Sequence, residues 1–142
     1  MKIRLLMLGK TRRAEIRALL DDYLRRLRPY AEVEVSEVSN SPAALRKLKA
    51  EPATVWVLLD AGGKQFTSQQ FAKWLAEQRH RGTRELIFLC GDAEGFPDEL
   101  RRRAQAKLSL STMTLPHELA RVVLAEQIYR AFAILAGHPY HK

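Results

Sequence analysis

Apolar runs at Ile3 to Leu8, Val33 to Val38, Thr54 to Leu59, Glu85 to Cys90 and Lys107 to Leu110 alternate with amphipathic segments, and this alternation constrains the fold more than any other feature of the chain. The runs are short and rich in branched residues, as buried strands are. The segments between them, Thr11 to Arg28, Ala43 to Lys49, Ser68 to Arg81 and Pro97 to Ala106, space their apolar residues as helices do, and a long helix from Pro116 to Ala136 closes the chain. Strands that alternate with helices need crossover connections. The expectation is therefore an α/β fold, a largely parallel sheet with helices on both faces. A length of 142 residues suits one domain spanning 1–142, and neither a repeat nor a linker interrupts it.

In open parallel sheets ligands bind beyond the carboxyl ends of the strands, so chemistry is sought in the loops that follow them. Three such loops stand out: Asp60-Ala61-Gly62-Gly63-Lys64, then Gly91-Asp92-Ala93-Glu94-Gly95-Phe96, then Ser109-Leu110-Ser111-Thr112-Met113-Thr114-Leu115-Pro116. The first is no phosphate cradle, because Lys64 is followed by Gln65 rather than Ser or Thr and no upstream glycine completes the pattern. The second lacks a third glycine at dinucleotide spacing. Its Asp92 and Glu94, with Asp98 and Glu99 just beyond, would repel a pyrophosphate and suit a cationic ligand such as a sulfonium or an amine. Equally, Asp98 and Glu99 could simply complement the dipole of the helix they open. The third loop offers backbone N–H and C=O groups that could meet the edge of an adenine.

With 24 Lys and Arg against 16 Asp and Glu, the net charge of +8 makes a polyanion, nucleic acid first, the leading partner. Arg12, Arg13, Arg17, Arg25, Arg26 and Arg28 crowd one helix opposite its apolar stripe of Ile16, Leu20, Leu24 and Leu27, although a solvated basic face would look the same. The single cysteine, Cys90, excludes an intrachain disulfide and reads as a small buried hydrophobe. His138 and His141 have no further plausible metal ligands beside them, so no metal is expected. The Leu119 to Ala136 stretch is interrupted by Arg121, Glu126, Gln127 and Arg130, and the N-terminus carries no cleavage-site pattern, so no membrane role and a cytoplasmic address are expected.

The end of the chain is more specific. Leu110-Ser111-Thr112-Met113-Thr114-Leu115-Pro116-His117, Arg121-Val122-Val123, Glu126-Gln127-Ile128-Tyr129-Arg130-Ala131-Phe132 and the terminal His138-Pro139-Tyr140-His141-Lys142 resemble the RlmH family, the pseudouridine N3-methyltransferases of large-subunit ribosomal RNA. Met1-Lys2-Ile3, Leu59-Asp60 and Gly63-Lys64 extend the likeness over almost the whole length. The resemblance implies a SPOUT fold whose C-terminal part is threaded into a trefoil knot, S-adenosyl-L-methionine (SAM) as cofactor, a homodimer, and ribosomal RNA within the large subunit or whole ribosome as partner. Carried over residue by residue, the cofactor contacts would be Leu59, Gly91, Leu110, Ser111, Thr112, Met113, Thr114 and Leu115. The family usually pairs Gly91 with a second glycine. Asp92 stands there instead, where a left-handed turn would be costlier.

The implied reaction is an in-line displacement in which a base nitrogen attacks the methyl of the sulfonium, so the protein mainly holds the two in line. His141 is the candidate for removing the proton, with Tyr140 positioning the base and Arg121 and His117 binding phosphate or the charge developing on the base. RNA docking without proton transfer is the other role open to these four. A knotted methyltransferase acting on transfer RNA, or a ribosome-binding protein that has lost activity, remain alternatives. The last helix is apolar nearly all round, which suggests that the sheet covers one side and a second subunit the other, with burial wholly within the chain as the alternative; a Glu at Leu124 or Ile128 should then either dissociate or unfold the protein. Gly137 and Pro139 should end it, leaving His138 to Lys142 as a short extended tail.

Overall fold

The elements follow in the order β1 (Lys2–Leu8), α1 (Ala14–Leu27), β2 (Glu32–Val38), α2 (Ser41–Lys47), β3 (Thr54–Gln65), α3 (Ser68–His80), β4 (Glu85–Cys90), α4 (Asp98–Arg103), β5 (Ala106–Ser109) and α5 (His117–Leu135), then a 3-10 turn Pro139–His141. They are seen in a computed structural model that describes residues 1–141, and of His141 the backbone alone. All strand pairs are parallel, in the order β2-β1-β4-β3-β5. The connections β1 to β2 and β3 to β4 cross the sheet in one direction, and β2 to β3 and β4 to β5 in the other. Crossovers of one hand must then place α1 and α3 on one face and α2 and α4 on the opposite face.

The core divides in that way. Ile3, Leu5 and Met7 of β1 and Leu86, Phe88 and Cys90 of β4 pack with α1, α3 and α5, while Leu6, Leu8, Ile87 and Leu89 pack with Ala44 of α2 and Leu100 of α4. The central β4 is covered on both faces, which is why Leu86 to Cys90 reads as an unbroken apolar run. Among the described residues, no helix is long and apolar enough to cross a membrane.

Three details depart from the sequence reading. First, α1 begins at Ala14 rather than Thr11. The N–H of Thr11 is taken by the Glu37 carboxylate and those of Arg12 and Arg13 by Glu118, so these residues are held outside the helix. Second, Asp60 to Gly63 do not leave the sheet. They bulge out of β3, which rejoins β5 at Lys64 with Leu108 still opposite, so that Leu59 and Lys64 face the same partner. Third, the tail is a 3-10 turn rather than extended: Gly137 ends the helix at φ +74°, and the turn folds back so that the Tyr140 ring meets the Tyr129 ring with 4.6 Å between centroids.

The final helix also needs less from outside than its composition suggests. It lies between α1 and α3 above β4, and Leu124 and Ile128 are both 0% exposed within the single chain. Neither can be an interface contact, because neighbours within the chain already cover both flanks of the helix. Ile128→Glu is therefore expected to destabilise the chain itself rather than to dissociate a dimer: an unpaired carboxylate at this position costs on the order of 4 kcal/mol, a large part of a domain's stability. A large fall in the urea midpoint, without the appearance of a dissociated subunit of wild-type stability, is the expected observation.

Candidate active site

At the carboxyl edge of the sheet, β3, β4 and β5 are neighbours, but β3 feeds a helix on one face and β4 a helix on the other. Where outgoing connections part like this a crevice opens. A cavity of about 420 Å³ occupies it, a size suited to a small-molecule ligand. All three loops marked out in the sequence meet there.

Of the residues expected to hold the cofactor, Leu59, Gly91, Leu110, Ser111, Met113, Thr114 and Leu115 line the cavity. Thr112 is exposed and belongs to the same loop without lining it. The loop is shaped from within: the Ser109 hydroxyl donates to the Ser111 carbonyl at 3.1 Å, and the Ser111 hydroxyl accepts the Met113 N–H at 2.9 Å. Such short side-chain bonds fix a backbone that neither helix nor sheet supports.

Gly91 ends β4 at the cavity wall, where a Cβ would stand 3.2 Å from Cε2 of Phe96 and 3.4 Å from Cα of Gly95. Asp92 has a negative φ, and the left-handed residue of this loop is Gly95 at φ +78°. The cost expected at Asp92 does not arise; its carboxylate instead accepts the Glu94 N–H at 2.9 Å. Asp98 and Glu99 sit exposed in the first turn of α4 and outside the cavity, as helix-dipole partners would.

Sequence reasoning missed Arg101. It reaches from α4 to an ion pair with Asp60 and also donates to the Phe96 carbonyl, joining the β3 bulge to the Gly91 loop. The Gly62 N–H at 3.1 Å, followed by Arg101, holds the Asp60 carboxyl below its usual range. Nothing local could have announced the pair, since the partners are 41 residues apart. Cys90 also lines the cavity, yet burial pushes its thiol up to about 12, so it stays protonated and inert.

Of the four residues considered for catalysis, the three whose side chains are described, His117, Arg121 and Tyr140, do not come together within one chain. His117 lines the cavity from the first turn of α5. Arg121, one turn further, is 0% exposed and points into the protein, where its guanidinium donates to the Leu8 carbonyl at 2.6 Å and the Thr11 hydroxyl at 2.8 Å. It is a tie between the start of α5 and the end of β1, with no surface open to a phosphate. Tyr140 lies on the surface of α1 and α5, with Arg130 over its ring at 5.0 Å and its hydroxyl 3.5 Å from that of Tyr23. Burial first, then Tyr23, raises its pKa, so the phenol is neutral. The side chain of His141 and the whole of Lys142 lie outside the described residues.

An all-parallel sheet with a ligand crevice among its last three strands, closed by a polar loop and a final helix, defines a cofactor-binding α/β enzyme. Comparison with known proteins narrows the class. A family model described as "Predicted SPOUT methyltransferase" matches residues 1–141. The chain is 46% identical over 144 residues to Ribosomal RNA large subunit methyltransferase H of Koribacter versatilis, covering 99% of this chain and 98% of that one. It is 43% identical over 152 residues to the protein of the same name from Gloeobacter violaceus, covering 99% of each. Among solved structures, a probable methylase family protein of Haemophilus influenzae aligns with 99% of this chain and 70% of its own at a TM-score of 0.61 and 10% identity. The SpoU methyltransferase AviRb of Streptomyces viridochromogenes, solved with AdoMet, aligns with 96% of this chain and 61% of its own at 0.54 and 11%. The chain belongs to the SPOUT methyltransferases and, within them, to the RlmH family.

Proposed function

We propose that this enzyme transfers the methyl group of SAM to N3 of a pseudouridine in large-subunit ribosomal RNA, in the cytoplasm and as a homodimer. One observation carries the reading: in a chain matched to this family along its full length, the three strand-end loops converge on one cavity of cofactor size. The cavity's chemistry fits the group. Leu59, Leu110 and Leu115 offer apolar walls for an adenosine, the loop backbone around Ser111 and Met113 offers donors and acceptors for its base, and Asp92 brings a carboxylate to a cationic ligand. When bound, SAM supplies a methyl already activated on a sulfonium.

The chain's own task is to position the base nitrogen opposite that methyl and to dispose of its proton. His117 is placed to hold charge developing on the base. Arg121 acts through others, fixing the turn of α5 that carries His117. Tyr140, neutral, would serve as a hydrogen-bond donor that orients the base, and His141 as the proton acceptor. Within one chain, however, Tyr140 packs beside Tyr129, and the twelve helical steps from His117 to Tyr129 span roughly 18 Å. A site that uses both therefore draws its tail from a second copy, and this supports the dimer. The half-buried outer side of α5, around Val123 and Ile134, with exposed Leu119 and Leu135 at its ends, is the surface available for it.

We further propose that the chain beyond β5 is threaded as the family's knot. The return of α5 from the edge strand β5 to the middle of the sheet, over β4 and against α1, supports this. The activity is tested by mass mapping of ribosomal RNA nucleosides from a strain lacking the gene. Loss of one methylpseudouridine from the large-subunit RNA, restored by the cloned chain, is expected. An unchanged ribosomal RNA with a methyl missing from transfer RNA would overturn the assignment.

A further inference from the structure

The loop that joins β1 to α1 is fastened from three other parts of the chain. The Thr11 N–H donates to Glu37 of β2, and the N–H groups of Arg12 and Arg13 both donate to Glu118 Oε1 at 3.0 Å. The buried Arg121 holds the Leu8 carbonyl and the Thr11 hydroxyl, and Arg17 adds a bond of 2.8 Å to the Thr11 carbonyl. This fixed backbone displays Lys10, Arg12 and Arg13, all exposed. The Glu37 and Glu118 carboxylates that hold the loop are engaged by its backbone N–H groups. Among the described residues no ion pair involves Lys10 or Arg12, and Arg13 has only a loose one, 3.9 Å from Glu15. Elsewhere Arg25 and Arg26 pair with Asp22, Arg101 with Asp60, and Arg130 with Glu126, whereas Arg79, Arg81 and Arg84, where α3 ends and β4 begins, also make no ion pair among the described residues and differ from the loop in lying away from the cavity lining.

The loop is also in a particular place. Met7 of β1 pairs with Cys90 of β4, so the chain leaves β1 beside the Gly91 loop, at the same edge of the sheet as the cavity. Its anchor Glu118 adjoins His117, which lines that cavity.

We propose that Lys10, Arg12 and Arg13 grip the sugar–phosphate backbone of the substrate RNA at the rim of the active site and so set the register in which a base enters the cavity; this rests on the RNA reading above. Phosphate contacts supply affinity and position without reading sequence. A loop already held by Glu37, Glu118 and Arg121 makes those contacts with little ordering cost.

The test measures affinity for purified bacterial large ribosomal subunits as a function of KCl concentration. For the Lys10→Ala/Arg12→Ala/Arg13→Ala chain, binding at low salt should weaken on the order of tenfold or more, and the slope of log K against log salt should flatten by about 2, since each lost phosphate contact removes about 0.7–0.9. SAM affinity and the thermal midpoint should stay at wild-type values. The charge-matched control Arg79→Ala/Arg81→Ala/Arg84→Ala, altered where α3 ends and β4 begins, should keep the wild-type slope. An unchanged slope in the first variant, or an equal loss in the control, overturns the assignment of the loop alone. A wild-type chain that does not bind the subunits at all overturns the RNA reading and the loop with it.

Discussion

A chain carrying Gly91→Val should fold and yet bind no measurable SAM. The substituted Cβ alone would press on the Phe96 ring at 3.2 Å, and the two further methyls of valine have only the cavity or the position of that ring to enter. Overpacking of this kind costs about 1–3 kcal/mol of stability, which a domain with 5–15 kcal/mol survives. The ligand site has no such reserve, because the cavity wall itself moves. A loss of a hundredfold or more in affinity, about 2.7 kcal/mol, is expected by calorimetry, with a modest fall in the urea midpoint. Gly91→Ala, which adds the Cβ without the methyls, should fall between. Wild-type affinity in a folded Gly91→Val chain would take Gly91 out of the site, and with it the convergence of loops on which the proposed function rests.

Much of this is legible in the sequence. The alternation of strand and helix required a parallel sheet, and a parallel sheet puts every loop that follows a strand on one edge, so the Gly91 and Leu110 to Leu115 loops could be nominated from their order alone. What could not be read is what depends on partners distant in sequence. Arg121 lies among apolar neighbours in a helix, and its contacts, Leu8 and Thr11, are 113 and 110 residues away, so nothing local marks it as buried rather than phosphate-binding. The Asp60 and Arg101 pair is hidden for the same reason. Periodicity reported that α5 is apolar all round but could not say which neighbours cover it, and α1 and α3 proved sufficient for Leu124 and Ile128. The start of α1 was misjudged because helix propensity does not see the carboxylates of Glu37 and Glu118, which draw residues 11 to 13 out of the helix.

The end of the chain carries the other large expected effect. Removing residues 138 to 142 takes away the ring contacts of Tyr140 with Tyr129 and of His138 with Tyr30, together worth about 1–3 kcal/mol, and leaves α5 and the cavity untouched. The shortened chain should therefore fold and bind SAM as the full chain does, while methyl transfer to ribosomes falls by about 10²–10⁴, the range that a positioned proton acceptor contributes. Single changes divide the roles. Tyr140→Phe keeps the ring packing and removes a hydroxyl that is neutral, so it should lower the rate without moving the pH profile. His141→Gln should lower the rate by much more than Tyr140→Phe does if the imidazole takes the proton. Mixing decides whose tail serves which cavity. Chains lacking the tail have an intact cavity, and Gly91→Val chains have an intact tail, so neither should work alone. If each site is built from the cavity of one subunit and the tail of its partner, co-refolding the two inactive chains should restore part of the activity, because half of the sites in a mixed dimer then hold both parts. No restoration, with mixed dimers present, would place tail and cavity in the same chain and require the tail to leave Tyr129. Full activity in the shortened chain would move the chemistry to His117 and the loops around it.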